Sequence, residues 1–523
     1  MIGGISMKNL ENFDIEQNEI TPVDIECNEI TLVNNKKILR PNGLVVLSLF
    51  DGMSCGRLAL EKANIKIAKY LASEIKPFAI NHTLQRYPNT ISIGDVTKVY
   101  YDNKTKTLYA NCEKEIVENV NATNLSQTEI DDYISNGYEI TLDGTIQKWI
   151  PSNEVKYQGD IDILIGGSPC QNFSMANSFQ NANSYGLAGS KSKLFYEYAR
   201  IKEEVNPTFF FLENVKMKKD SETQLNKFMG VNGLHINSNT LSIQNRDRIY
   251  WTNIKDFKNL KKDDNIKENN IPQPNDKTFG YSKKNNTITS INLQDYILKT
   301  LPKFEQMLYI QKYPMCYSLF TKEQQLEMNK YIEKDINGNV IKVNFDIENI
   351  TDKDIDTIIN IPSNVWVINE LEETRKFYRK LGQDTFKIDG VNKEFTTKHK
   401  LSNKDIVYII HSYLIESLVK KTPSRDKMWN EGKTAQFACK NITNETKMSC
   451  LTRKQDRFPN SGLISFGYYC RFVNRFEICK GQTVPFYFLN DLNYTQIQDV
   501  CGDGWTVDTI RYIFSYLKQV YEF

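Results

Sequence analysis

The stretch LVVLSLFDGMSCGRLALEKANI, running from Leu44 to Ile65, decides the fold. Residues 44–50 form a continuous β-rich run of the kind a parallel strand buried on both faces requires. A turn with Gly52 and Gly56 follows, and RLALEKANI then reads as a helix. Working outward, IAKYLASE predicts a strand ending at Glu74, residues 77–87 a helix, and a short strand precedes Gly94–Asp95–Val96. The rhythm resumes at IDILIGG (161–167) and PTFFFLEN (207–214). Strands alternating with helices predict an α/β fold with a doubly wound, mostly parallel sheet.

Four segments surround or interrupt this pattern. Residues 1–42 are a polar N-terminal extension holding a near-repeat, DIEQNEITPV from Asp14 and DIECNEITLV from Asp24. Two copies are too few for a solenoid. Within the main unit, residues 43–254, the alternating turn-rich stretch 100–158 predicts a β-rich insertion. Residues 255–458 are Lys/Asn-rich and without βα rhythm, which predicts a second, irregular domain. Residues 459–523 return to motif-like sequence and end in the amphipathic run VDTIRYIFSYLKQVYEF.

Bulk properties narrow the chemistry. Over 523 residues the net charge is only +2, so a nucleic-acid surface would come from local clustering. The densest cluster is residues 420–457, with ten Lys/Arg, including Arg453 and Lys454, against four acidic residues and with Trp429, Phe437 and Phe458 interleaved. Ten cysteines without a C-x-x-C pair, and four histidines, argue against a zinc site or a disulfide framework. We expect no metal, no membrane span and a cytoplasmic setting. The excess of Asn, Lys and Ile points to an AT-rich genome, bacterial or phage.

Three places carry candidate chemistry. The turn FDGMSCG (50–56) brings backbone and a helix start toward a ligand but lacks G-x-G-x-x-G, which argues against a dinucleotide enzyme. Glu74, at the end of the next strand, suits ribose hydroxyls, and Asp95 suits an adenine amino group. In GGSPCQ (166–171) Cys170 follows a strand and would stand at the carboxyl edge of the sheet. A thiolate there can add to carbon 6 of cytosine and make carbon 5 nucleophilic. Glu213 of FLENV could serve ring nitrogen 3 if burial raises its pKa. In SIQNRDRIYW, Arg246 and Arg248 would share one face of a strand.

Each of these signals alone has a bland reading: a turn, an inert buried thiol, an ion-paired strand. Their order removes it. FDG, Glu74, GDV, SPCQ, ENV and QNRDR, followed by CRFVNRFEICKGQTVP (470–485) and GDGWTVDTI (502–510), resemble the DNA cytosine-5 methyltransferase family over residues 44–254 and 461–523. The spacing of Arg471, Glu477, Gln482 and Pro485 matches the family's penultimate motif. The catalytic motifs look closest to the animal de novo and phage-like branch. Ser54 stands where many bacterial members have glycine, Lys480 where arginine is usual, and Asn474 where threonine is usual.

The resemblance implies a Rossmann-like, S-adenosylmethionine-dependent enzyme acting on double-stranded DNA and releasing S-adenosylhomocysteine. Phe50, Asp51, Gly52, Glu74, Ile75, Asp95, Val96, Asp503, Gly504 and Trp505 would hold the cofactor. Cys170 would be the nucleophile, Glu213 the partner of ring nitrogen 3, and Arg246 and Arg248 would steady the base. Ser168, Pro169, Gln171, Asn214, Gln244, Arg453 and Lys454 would meet the substrate or DNA, with residues 255–458 as target-recognition domain. The base would have to be flipped out of the helix. A catalytically silent DNA-binding relative would lack Cys170 or Glu213, and both are present. The tRNA-modifying branch carries Cys-Phe-Thr after its ENV motif, where this chain has KMKKD. Transfer of a modified group such as carboxymethyl stays open, as does a cognate restriction enzyme.

Overall fold

A computed structural model describes residues 37–141, 144–169, 193–254, 281–282, 287–288, 292–299, 302–347, 350–420, 422–425, 427, 440–453, 460–466 and 469–523. Its centre is a seven-stranded sheet: β1 (Leu44–Leu49), β2 (Ile67–Ser73), β3 (Thr90–Ser92), β4 (Ile163–Gly166), β5 (Phe209–Val215), β6 (Leu234–Asn237) and β7 (Asp247–Thr252). The spatial order is β6-β7-β5-β4-β1-β2-β3. Only β7 runs against its neighbours; the ladders β5–β4, β4–β1, β1–β2 and β2–β3 are all parallel.

Alternation along the central strands feeds two cores. Leu44, Val46, Ile163, Ile165, Phe209 and Phe211 join one buried cluster, while Leu47, Leu49, Leu164, Phe210 and Leu212 join the other. The first takes in Leu58 and Leu60 of α1 (Cys55–Lys62) and Ile510, Ile513 and Phe514 of α9 (Val507–Ser515). The second takes in Phe195 and Tyr198 of α3 (Lys193–Val205) and Leu225 and Met229 of α4 (Lys219–Met229). Both faces are therefore covered, which is why the strands read as continuous apolar runs. Chain order departs in opposite directions from β1 and β4. The crevice beyond their carboxyl ends is where such sheets bind ligands.

The insertion at 100–158 contains two three-stranded sheets, as its alternating sequence predicts, together with a helix, Gln127–Ser135, that opens with a capping box. In the region read as irregular, three two-stranded ribbons form among the described residues, Leu418–Val419 joins a three-stranded sheet with Leu463–Phe466 and Tyr469–Phe472, and the chain also forms helices that no periodicity announced. These include α5 (Pro362–Lys380) and α6 (Asn403–Ser417), whose Leu371, Ile406, Ile409 and Ile410 enter the first core. Residues 469–523 add α7 (Arg475–Gln482), α8 (Tyr494–Asp503) and α9. The amphipathic C-terminal run ends as a strand, Tyr521–Glu522, paired in parallel with Ile38–Leu39. Among the described residues no helix is long and apolar enough to cross a membrane.

α6 buries His411, and neither ring nitrogen has a hydrogen-bond partner among the described residues. Burial pushes its pKa down to about 3. The unfolded chain takes up this proton near pH 6.5 and the folded chain only near pH 3, so stability falls as pH drops through that window. The slope is about 1.4 kcal/mol per pH unit at most. Urea unfolding of His411→Leu at pH 7 and pH 5 is expected to show a smaller acid loss than the parent; an identical loss would place the acid sensitivity elsewhere.

Candidate active site

The turn after β1 is held in an unusual backbone. Phe50, Gly52 and Ser54 all lie in the left-handed region, with φ of 57°, 58° and 59°. The Asp51 carboxylate organises it by accepting hydrogen bonds from Ser48 Oγ (2.6 Å), Tyr70 Oη (2.7 Å) and the Ser54 hydroxyl. Burial raises the pKa of Asp51, and the three hydroxyls oppose that rise. Across the crevice the Gly52 N–H donates to Glu74 Oε2 (2.8 Å), while Glu74 Oε1 accepts from the N–H groups of Ile75 and Lys76.

Open space faces this edge. A Cβ on Gly52 or Gly94 would meet nothing within 4 Å, and Ile75 is 70% exposed beside Glu74. Asp95 Oδ1 accepts from the N–H and the hydroxyl of Thr97, and Ser73 Oγ donates to the Gly94 carbonyl. Val96 is buried in the second core. The residues from Phe50 to Val96 expected at a cofactor are thus gathered along the carboxyl ends of β1, β2 and β3.

The reactive edge lies across β4. Ser168 and Pro169 continue from the strand; Cys170 and Gln171 lie outside the described residues. Asn214 donates from Nδ2 to Ser168 Oγ (3.0 Å) and to its carbonyl (3.3 Å), which fixes the turn that leads to Cys170. Glu213 beside it is 7% exposed and paired through Oε1 with Arg248 Nε (2.8 Å). Its Oε2 accepts the indole N–H of Trp505 (3.2 Å) from the far end of the chain. Gly167 lies directly against this bond. A Cβ there would sit 2.9 Å from Trp505 Nε1 and 3.2 Å from Glu213 Oε2.

The arginine pair is arranged differently from the single strand face that its spacing predicts. β7 begins at Asp247, so only Arg248 lies in it. Arg246, 2% exposed, donates to the carbonyls of Leu451 (3.0 Å), Gly502 (3.2 Å) and Gly504 (2.7 Å), binding three chain segments together. The two guanidiniums nevertheless converge on Cys450 Sγ, at 3.3 Å from Arg246 and 3.8 Å from Arg248. Burial pushes the Cys450 thiol up, but the two positive charges outweigh it and hold the thiol below its ordinary range. At Cys55, which no guanidinium is seen to bond, burial outweighs the Arg246 charge and pushes the thiol up to about 12.

Gln244 is fully buried: its amide donates to the Gly481 carbonyl and to Gln482 Oε1, and its Oε1 accepts from Leu451 N–H (3.1 Å). It ties segments together inside the protein. Asp503 and Asp499 of α8 are each paired with both Lys76 and Arg453. Lys454 lies outside the described residues. Cys450 was missed by the sequence reading, because it belongs to a stretch without a motif of its own. The link from Trp505 to Glu213 was missed because 292 positions separate the two residues.

Comparison with known proteins follows the same lines. The family model for C-5 cytosine-specific DNA methylases matches residues 114–519. The DNA (cytosine-5)-methyltransferase DRM2 of Arabidopsis thaliana is 28% identical over 169 residues, 32% of this chain and 20% of that protein. The type II methyltransferase M.NgoBV of Neisseria gonorrhoeae is 27% identical over 228 residues, 39% of this chain and 40% of its own length. M.FnuDI of Fusobacterium nucleatum, also a type II methyltransferase, is 47% identical over 55 residues, 10% of this chain and 14% of its own. The chain spans less than half the length of each of these three relatives.

Proposed function

The chain belongs to the C-5 cytosine-specific DNA methylase family, and on that premise we propose that it transfers a methyl group from S-adenosylmethionine to carbon 5 of cytosine in duplex DNA. One observation carries the reading. Glu213 is held at the carboxyl edge of the sheet by Arg248 and Trp505, and its neighbour Asn214 fixes the turn that runs on to Cys170.

The crevice suits the cofactor: there is open space at Gly52 and Gly94, a carboxylate at Glu74 and an exposed apolar side chain at Ile75. Glu74 would take the ribose hydroxyls, Asp95 and Val96 the adenine, and Phe50, Asp51 and Gly52 the methionine end, with Asp503, Gly504 and Trp505 closing the pocket. When bound, S-adenosylmethionine supplies an electrophilic methyl group. The protein's part is to make carbon 5 of the base accept it. The Cys170 thiolate adds to carbon 6 of the flipped-out cytosine and is expelled again when the methylated carbon 5 gives up its proton to solvent and the C5–C6 double bond re-forms. Glu213 holds a proton at ring nitrogen 3, where negative charge develops. Arg248 keeps that carboxyl in place, and Arg246 holds the surrounding segments around it. Residues 255–458 serve as the target-recognition domain, with Arg453 and Lys454 meeting phosphates. The cytoplasm of a bacterial or phage-infected cell is the setting that fits.

Incubating the purified protein with methyl-labelled S-adenosylmethionine is expected to label duplex DNA at cytosine and to leave tRNA unlabelled. Label in tRNA alone would replace the DNA reading with an RNA one.

A further inference from the structure

Two positive charges converge beside Glu213, and the arginine motif accounts for only one contact to its carboxylate. Arg246 and Arg248 both reach Cys450 Sγ, so one half-buried sulfur bridges the two guanidiniums. On the other side Glu213 Oε2 receives the Trp505 indole N–H. We infer that Trp505 and Cys450 are positioning residues for Glu213. Trp505 acts by donating to Oε2, and Cys450 acts by holding Arg248 with its Nε on Oε1. This rests on the methyl-transfer reading given above and adds to it how the acid is fixed.

The contacts close into a ring. Arg246 binds the carbonyl of Gly504 (2.7 Å), and the next residue, Trp505, binds Glu213 (3.2 Å). Glu213 binds Arg248 (2.8 Å), Arg248 reaches Cys450 (3.8 Å), and Cys450 returns to Arg246 (3.3 Å). Two guanidiniums thus face two acidic side chains, Glu213 and Cys450. The Arg246 and Arg248 charges outweigh burial and hold the Cys450 thiol below its ordinary range. The ring also joins three segments far apart in sequence: β5 with β7, the chain around residue 450, and the turn before α9.

The indole does more here than wall the pocket. Its ring packs edge-on to Phe211 (5.3 Å between centroids), a contact that phenylalanine would keep. Its N–H is aimed at the carboxylate, and Gly167 leaves room for that bond where any side chain would press on both partners.

Three variants and one spectrum test the assignment. Trp505→Phe keeps an aromatic ring and removes the donor. It is expected to lower kcat about tenfold, the worth of one hydrogen bond to a charged group, with KM for S-adenosylmethionine changing by less than about threefold. Cys450→Val is expected to lower kcat by a similar factor, and Cys450→Asp, which restores an acidic side chain, to recover most of it. A Trp505→Phe defect confined to KM for S-adenosylmethionine, or equal activity in the valine and aspartate variants, overturns the inference. The indole N–H resonance of Trp505, assigned by its disappearance in Trp505→Phe or Trp505→Tyr, should shift in Glu213→Gln whatever the substrate. An unmoved resonance overturns the inference even in an active enzyme. A shifted resonance in a protein that methylates no cytosine overturns the methyl-transfer reading instead.

Discussion

Cys170→Ser is expected to abolish methyl transfer, with kcat falling roughly 10⁴- to 10⁶-fold, the range seen when a catalytic nucleophile is removed from a site otherwise intact. The reason lies in the base. Carbon 5 of cytosine becomes nucleophilic only after a group adds at carbon 6, and a serine hydroxyl carries too little anion near neutral pH to do this. Binding of DNA and of S-adenosylmethionine should survive, because the crevice is built from Gly52, Glu74 and Ile75 rather than from residue 170. A serine variant turning over within tenfold of the parent would remove Cys170 from the mechanism. Single-turnover assays with labelled cofactor, paired with equilibrium DNA binding, separate these outcomes.

The second large effect concerns stability. Arg471 and Glu477 are 1% and 0% exposed and share two parallel 2.8 Å bonds. Glu477 also accepts from the N–H groups of Leu298 and Asn474, and Arg471 donates to the Leu298 carbonyl (2.9 Å). The pair thus fastens the segment around residue 298 to the start of α7. Glu477→Gln keeps the shape but leaves a guanidinium buried without its counter-ion, at a cost of about 3–5 kcal/mol. Arg471→Met should cost about as much by stranding the carboxylate. The double change Arg471→Met with Glu477→Leu is expected to cost less than either single one, since neither charge is left alone. Urea midpoints of the three proteins decide it: a double variant weaker than both singles would mean that packing, not charge, sets the loss.

Much of this molecule was legible in its sequence where structure and chemistry share short spacings. The strand at 44–49, α1, β2 and α2 (Pro77–Arg86) fall where apolar runs and turns predict them, with ends shifted by no more than three residues. The cofactor-side residues from Phe50 to Asp95 come together because each ends a parallel strand, and parallel strands share one carboxyl edge. What escaped was everything that depends on distant segments meeting. The arginines were expected on one strand face, yet Arg246 leaves the ladder to clamp Gly502 and Gly504. Gln244 looks like a surface amide until its partners, Gly481 and Leu451, are known. α5 and α6 carry polar residues on faces that the sequence gives no reason to bury, because their apolar partners come from elsewhere in the chain.

The pairing of Ile38–Leu39 with Tyr521–Glu522, together with α9 lying against α1, has a consequence for how the protein is made. α1 leaves the ribosome early, but the helix that covers its apolar face is synthesised more than 400 residues later. At about 5–20 residues per second, that face waits on the order of a minute for its cover. During this interval the nascent chain has Glu213 but not Trp505, and the sheet but not its lid. The bond between Trp505 and Glu213 therefore forms late, only after the segment that precedes α9 has followed the sheet out of the ribosome.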